Sequence, residues 1–328
     1  MSKRSARAIA PSNIALVKYW GKRDTKLNLP AAGSLSATLS SMYSETEVTF
    51  DETLSADQLI INGEAVSGAG LSKAVGLLND VRRQSGEKHF ARVESTNNFP
   101  TAAGLASSAS GYAALAVAAA AAAGWRASTA QLSALARLGS GSACRSLIGG
   151  FAEWQTGSAS DGSDSYAIQV APAEHWPLKM YALVVTEGPK ATSSTHGMMH
   201  TAASSPYYTA WIDSVARDLN DARAAIASRD FSALSEVAER SCLAMHAAMI
   251  SARPSLVYWR PQTLAVIEQL KRLRAAGLSF FFTIDAGPHV KVFVPPETDP
   301  MVEGKLAELD GVRRVISAVV GPGARVVD

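Results

Sequence analysis

The sequence predicts an α+β fold in two lobes, and three observations lead there. The first third alternates short apolar segments of period two with turn residues. Beyond Lys190 the pattern changes to long helices, and strands return near the C-terminus. Segregated strand-rich and helix-rich stretches of this kind are the mark of an α+β arrangement. The expected division falls near Glu187, giving lobes at 1–187 and 188–328.

The N-terminal stretch has no acidic residue before Asp24 and carries Lys3, Arg4 and Arg7, as an organellar leader would. Ile9, Ile14, Leu16 and Val17 instead read as the apolar positions of a strand entering a core. Only the first six or seven residues are expected to be dispensable. "SETEVTFD", "QLIINGEAV" and "HFARVESTNNFP" follow as strands, with Asn62-Gly63 as a hairpin turn. "LSKAVGLLNDVRRQSG" between them has helical spacing.

Next come a small-residue loop, an alanine-rich helix, a second helix and a glycine-serine loop, "GSGSACRSLIGGF". "MYALVVT" is a continuous apolar strand of the buried kind. Three long helical segments run from Ser204 to Gly277, and the chain closes with "LSFFFTIDAGPHVKVFVP", strands about one bend, and "RRVISAVV".

Composition removes several functions. With 31 basic and 29 acidic residues among 328, the formal charge is +2, and no long Lys/Arg run exists. A nucleic-acid partner is therefore not expected, because such proteins cluster basic charge on one face. The most apolar run, Ala113 to Ala123, is shorter than the roughly 20 residues that span a bilayer. Two cysteines, Cys144 and Cys242, cannot build a disulfide framework, so a reducing cytoplasm is the expected home. The G-x-S-x-G elbow of serine hydrolases is absent from both serine loops. His196 and His200 have a metal-like i, i+4 spacing but no third ligand nearby in sequence, so no metal site is assigned to them.

The segment "NNFPTAAGLASSASGYAALA" carries the first functional signal. A strand ends at Phe99-Pro100, small residues follow, and a helix begins near Ala106. Backbone N–H groups around Ala102, Ala103 and Gly104, with the hydroxyls of Ser107 and Ser108, would face an anion at the helix start. A plain Ser-rich N-cap would look the same locally. No Walker loop occurs anywhere in the chain.

This segment resembles the P-x-x-x-G-L-x-S-S signature of the galactokinase, homoserine kinase, mevalonate kinase and phosphomevalonate kinase (GHMP kinase) superfamily. "IALVKYWGKRDTKLNLP", "GSGSACRSLIGGF", "KATSSTHGM" and "FTIDAGPHVKV" follow in the order of its diphosphomevalonate decarboxylase family, from about Ala10 to Val294. The resemblance implies a two-lobed GHMP kinase fold. Its N-terminal lobe would be like ribosomal protein S5 domain 2, its C-terminal lobe ferredoxin-like, with a cleft between.

It also implies ATP-dependent phosphorylation of the 3-hydroxyl of mevalonate 5-diphosphate, then loss of phosphate and carbon dioxide to give isopentenyl diphosphate. Asp285 matches the family's catalytic aspartate, Lys18 the lysine beside it, and Arg145 the arginine on the substrate carboxylate. Tyr19, Lys22, Ser140, Gly141 and Ser142 match the diphosphate site. Ala103, Gly104, Ser107 and Ser108 match the ATP phosphate loop, and Ser193 or Ser194 the γ-phosphate region. Mg2+ would be held by nucleotide phosphates and Ser108, with no dedicated metal cluster. Relatives are commonly homodimers, so a homodimer is expected. A 3-kinase that does not decarboxylate, a decarboxylase of the 5-monophosphate, and a noncatalytic phospholigand-binding protein are the alternatives.

The residues suit that chemistry independently. A planar guanidinium fits a carboxylate through paired N–H bonds, while lysines and clustered hydroxyls fit a diphosphate. Phosphoryl transfer asks mainly for positioning, charge neutralisation and one group directing the nucleophile. Trp20 and Cys144 read as packing residues rather than as a base-stacking platform and a nucleophile.

Overall fold

The computed structural model describes residues 4–99, 107–188 and 192–327. The first strand, β1 (Arg4–Val17), is followed by a small ladder of β2 (Lys22–Asp24) and β3 (Leu29–Pro30), then by the long β4 (Ser34–Asp51). β1 and β4 pair antiparallel from Arg4↔Phe50 to Val17↔Leu35. The pairing begins at Arg4, inside the stretch expected to be dispensable. Polar Ser5 and Arg7 hide this edge in the sequence, because they face outward and bond Glu47 and Glu45 across the strand.

β5 (Gln58–Ile61) and β6 (Glu64–Ala65) form the expected hairpin. Asn62 and Gly63 turn with φ of 51° and 83°, both in the left-handed region that a type I′ turn requires. Helix α1 (Gly68–Ser85) then leads to β7 (Phe90–Asn97), which lies between β4 and β5.

Helix α2 (Ser107–Ala122) lies on β1 and β4. Ala113, Ala114, Ala116 and Ala118 are fully buried, and their small side chains let the helix approach the sheet closely. Helix α3 (Thr129–Gly139) starts on a Ser128/Gln131 capping box. The short α4 (Ala143–Ser146) carries Arg145, and β8 (Phe151–Trp154) and β9 (Ala167–Ala171) extend the sheet from the other half of β4.

The second sheet opens with β10 (Lys179–Val184). Four helices follow: α5 (Ser194–Ser204), α6 (Tyr208–Ser228), α7 (Phe231–Ile250) and α8 (Pro261–Ala275). Then come β11 (Phe281–Ile284), β12 (Val290–Val294), α9 (Asp299–Ala307), β13 (Arg314–Val319) and β14 (Arg325–Val327). The order of this antiparallel sheet is β11-β12-β10-β13, while β14 returns to pair with β1 in the first. The expected division near Glu187 thus follows a strand that already belongs to the second sheet. An apolar run such as "MYALVV" shows burial but not which sheet it joins. Leu16, Leu35, Phe151, Trp176, Met180, Phe281 and Phe293 share one apolar core reaching from sheet to sheet.

Candidate active site

Between the lobes lies a cavity of about 480 Å³, lined from β1, α1, α2, the α3–α4 loop, α5, α7 and the β11–β12 turn. Lys18, Lys22, Lys73 and Arg145 line it against a single lining carboxylate, Asp285, among the described residues. A cavity with this imbalance selects anions.

Asp285 stands where β11 ends. Its carbonyl accepts the Gly287 N–H at 2.6 Å, closing the turn. Just before it, α7 grips the strand: the Ile284 N–H donates to Cys242 Sγ at 3.1 Å, and His246 Nε2 lies 3.2 Å from the Ile284 carbonyl. The carboxylate lies between two lysines, Lys18 Nζ at 2.7 Å from Oδ1 and Lys291 Nζ at 3.2 Å from Oδ2. Burial pushes this carboxyl up, but the two ammonium groups outweigh it and hold it well below the usual carboxylate range. Asp285 stays ionised, with 27% of its side chain open to solvent, while Lys18 and Lys291 are buried.

Arg145 is buried and bonded to neutral groups. Its Nε donates to Asn13 Oδ1 at 3.2 Å and Ser36 Oγ at 3.0 Å, and a terminal nitrogen donates to Ser34 Oγ at 2.5 Å. Ser34 and Ser36 sit two apart on β4, so strand periodicity puts both on one face. Asn13 Nδ2 in turn donates to the Ser142 carbonyl at 3.0 Å and Ser146 Oγ at 2.8 Å, tying β1 to the α4 turn. Glu153, eight residues further on, pairs with Arg223 rather than with Arg145. Among the described residues no carboxylate lies within ion-pair distance of Arg145, so its charge is available to an incoming one.

Tyr19 packs edge-on against Trp154 at 4.8 Å, and its buried hydroxyl has no hydrogen-bond partner. It borders Gly141, where an added Cβ would stand 2.7 Å from the Tyr19 hydroxyl oxygen. An unpartnered hydroxyl beside Ser140, Gly141 and Ser142 fits the oxygen-rich end of a ligand. The Lys22 ammonium is pushed down by burial and by nearby Lys73, so bringing an anion there relieves repulsion. Ser108 Oγ lies 3.3 Å from Ser140 Oγ, joining the α2 start to the α3–α4 loop. Ser193 caps α5 by accepting the His196 N–H at 3.3 Å, and Ser194 and Thr195 line the same cavity.

The expected residues Lys18, Tyr19, Lys22, Ser107, Ser108, Ser140, Gly141, Ser142, Arg145, Ser193, Ser194 and Asp285 therefore meet in one cavity. Ala103 and Gly104 lie outside the described residues. Asn13, Ser34, Ser36, Lys73 and Lys291 were not expected. Trp20 is packed, donating its ring N–H to Thr201. Cys144 is buried, and desolvation pushes its thiol up to about 12, which excludes a thiolate nucleophile. No group of three or more metal-ligating side chains occurs among the described residues, and none of their helices is long and apolar enough to cross a membrane.

A cationic cleft on an α+β scaffold, with one carboxylate held between lysines, has the groups that a small-molecule phosphotransferase of the GHMP kinase type needs. Residues 10–167 match the diphosphomevalonate decarboxylase-like N-terminal domain, and residues 180–309 the mevalonate 5-diphosphate decarboxylase C-terminal domain. The chain belongs to the diphosphomevalonate decarboxylase family. It is 41% identical over 324 residues to the diphosphomevalonate decarboxylase of Ganoderma lucidum, covering 90% of this chain and 80% of that one. The crystal structure of the Staphylococcus aureus mevalonate diphosphate decarboxylase superposes with a TM-score of 0.94 at 40% identity, covering 100% and 99% of the two chains. A structure described as MDDEF in complex with MVAPP, AMPPCP and magnesium gives 0.92 at 42% identity, with both chains fully covered.

Proposed function

We propose that the chain converts mevalonate 5-diphosphate to isopentenyl diphosphate, consuming ATP and releasing ADP, phosphate and carbon dioxide. The observation that carries this is the pairing, in one cationic cavity, of an ionised Asp285 with an Arg145 that lacks a carboxylate partner. The substrate supplies what the cavity lacks: a carboxylate for Arg145 and a diphosphate for Lys22, Tyr19, Ser140, Gly141 and Ser142.

With both ends held, the tertiary 3-hydroxyl lies at Asp285. A carboxylate held this low is a weak base, so it orients the hydroxyl first. It takes the proton as the new O3–P bond forms and the γ-phosphorus bond to the ADP oxygen breaks. Little prior deprotonation is needed, because phosphoryl transfer passes through a loose transition state. The C3–O3 bond then breaks, phosphate leaves, and the C1–C2 electron pair becomes the C2=C3 double bond as carbon dioxide departs. Lys18 neutralises charge beside the reacting oxygen.

Ser107 and Ser108, at the α2 N-terminus, face the nucleotide phosphates. Ser193 and Ser194, which both line the cavity at the start of α5, are the hydroxyls we assign to the γ-phosphate region. Mg2+ suits this site as a companion of the nucleotide: hydroxyls converge there and, among the described residues, no carboxylate cluster competes, so Ser108 would be its protein donor. When bound, it neutralises phosphate charge. The relative described in complex with MVAPP, AMPPCP and magnesium supports the use of magnesium with the nucleotide. Two buried free thiols, Cys144 and Cys242, suit a reducing compartment, and a cytoplasmic homodimer is carried by the family resemblance.

The 3-kinase and monophosphate alternatives are not favoured: the relatives are named for the diphosphate and for decarboxylation. The test is to incubate the protein with ATP, Mg2+ and mevalonate 5-diphosphate, following ADP and carbon dioxide together. Equal release, lost in Asp285→Ala, is the expected result. ADP without carbon dioxide would overturn decarboxylation, and turnover of the monophosphate alone would overturn the substrate.

A further inference from the structure

Lys291 has no place in the reaction as derived above. It is the second residue of β12, between Val290 and Val292, and is 0% exposed. Lysines are rarely buried without a partner, because the charged head is costly to desolvate. Here the head reaches Asp285 Oδ2 from the protein side of the turn, while Lys18 holds Oδ1. Asp285 is thereby fixed by both oxygens, with the plane of its carboxylate set before any substrate arrives.

We infer that Lys291 is a positioning residue for the phosphoryl-transfer step: it sets the orientation and limits the basicity of Asp285, without touching substrate. The inference rests on the decarboxylase reading, which the unaltered protein tests separately through its ADP and carbon dioxide release.

Structural need alone does not account for the residue. In a sheet buried on both faces, a methionine of similar length would fill the same space, and replacing buried charges with apolar groups is often neutral. Removing Lys291 would also leave Asp285 paired with Lys18 rather than stranded. What the lysine adds is a second ammonium on the carboxylate: burial and Lys18 push its titration down, while Asp285 beside it favours the charged form. Without it Lys18 could draw the carboxylate to one side, and Asp285 would bind a proton more readily. The other charged or titratable groups facing this carboxylate are Arg145 from α4, and Cys242 and His246 from α7; His289, two residues before Lys291, faces the lysine. Desolvation pushes both thiol and imidazole toward their neutral forms, leaving the lysines and Arg145 as the charges that act on Asp285.

The test compares Lys291→Met and Lys291→Arg with the unaltered enzyme, measuring kcat and KM against pH with all substrates. An adjacent opposite charge lowers an aspartate by roughly 1–3 pH units. Lys291→Met should therefore move the acid limb of kcat upward by about one unit or more and lower its plateau, leaving KM for mevalonate 5-diphosphate within about threefold. Lys291→Arg should restore the acid limb toward its original position even where the plateau stays low. A fall in kcat with an unmoved acid limb, or a rise in KM alone, would overturn the inference. If Lys291→Met does not fold, Lys291→Gln carries the same prediction. Failure of both neutral variants to fold would also overturn it, by making the lysine a requirement of the fold.

Discussion

Arg145→Gln separates binding from stability. In the protein alone, Arg145 is a buried guanidinium hydrogen-bonded only to neutral partners, Asn13, Ser34 and Ser36. Its three charge-assisted hydrogen bonds contribute about 1.5–3 kcal/mol each. Against them stands a desolvation cost of several kcal/mol for an ion without a counterion. The two nearly offset each other. Glutamine keeps an amide NH2 as donor, and the serine hydroxyls can rotate to new partners, so the net change in folding free energy should stay within about 2 kcal/mol, or a midpoint shift of roughly 3 °C for a chain of 328 residues.

Catalysis should respond differently. The substrate carboxylate loses two charge-assisted bonds in a desolvated pocket, about 3–6 kcal/mol, of which imperfect water replacement recovers part. At 1.4 kcal/mol per tenfold, kcat/KM should fall roughly 10²–10⁴-fold. The assay pairs steady-state ADP release with differential scanning calorimetry on the same preparation. A midpoint drop well beyond 10 °C with kcat/KM nearly intact would refute the reasoning, because Arg145 would then be an anchor of the α4 turn rather than a receptor for the carboxylate.

Gly141→Ala places a Cβ 2.7 Å from the Tyr19 hydroxyl and 2.9 Å from the Trp154 ring; overpacking of about 1–3 kcal/mol should raise KM for the diphosphate substrate at least several-fold with a smaller change in kcat, and an unchanged KM would remove Tyr19 from the diphosphate site. Deleting residues 1–7 breaks the pairing of Arg4 through Arg7 with β4; at about 1 kcal/mol net per hydrogen bond it should cost roughly 2–4 kcal/mol in urea unfolding, and an unaltered midpoint would show that edge to be idle. His246 and His289 are held neutral, burial pushing each imidazole down to about 3. The unfolded chain takes up their protons below about 6.5, so stability is full above that pH and falls as pH drops toward 3, by up to about 1.4 kcal/mol per pH unit for each. Asp285, also depressed, adds a further loss at the acid end. Urea midpoints at pH 7.5, 6 and 5 check the slope, and a flat profile would refute it.

The motifs were legible because GHMP-type chemistry concentrates its groups in short segments: Lys18, Tyr19 and Lys22 at one strand end, Ser140 to Arg145 in one turn, Asp285 in another. The supporting residues were not, for reasons particular to each. Lys291 sits in "VKVFV", where alternation assigns the charged position to a solvent face. The second sheet is covered on both sides, so that face is buried. Ser34 and Ser36 look like ordinary polar alternation on β4 until α4 brings Arg145 over them. Lys73 lies on an exposed turn of α1 and enters the cavity only because α1 packs beside α2 and α3. Long-range pairing also decides β10 and β14: neither apolar run says which sheet will accept it.

The same geometry explains why the reaction needs two lobes. Arg145 with Ser140, Gly141 and Ser142 belongs to α4 and its preceding loop, and Tyr19 and Lys22 to the end of β1 and the start of β2, whereas Asp285 follows β11 and Lys291 lies on β12. Lys18 bridges them: its backbone N–H is bonded to Ser241 on α7 at 3.0 Å, and its ammonium to Asp285. In the proposed reaction a substrate held by one lobe has its 3-hydroxyl presented to a carboxylate fixed by the other, with Lys18 between them. Any change that lets the lobes separate should lower kcat before it raises KM, because binding groups stay together on one side while the proton acceptor moves away.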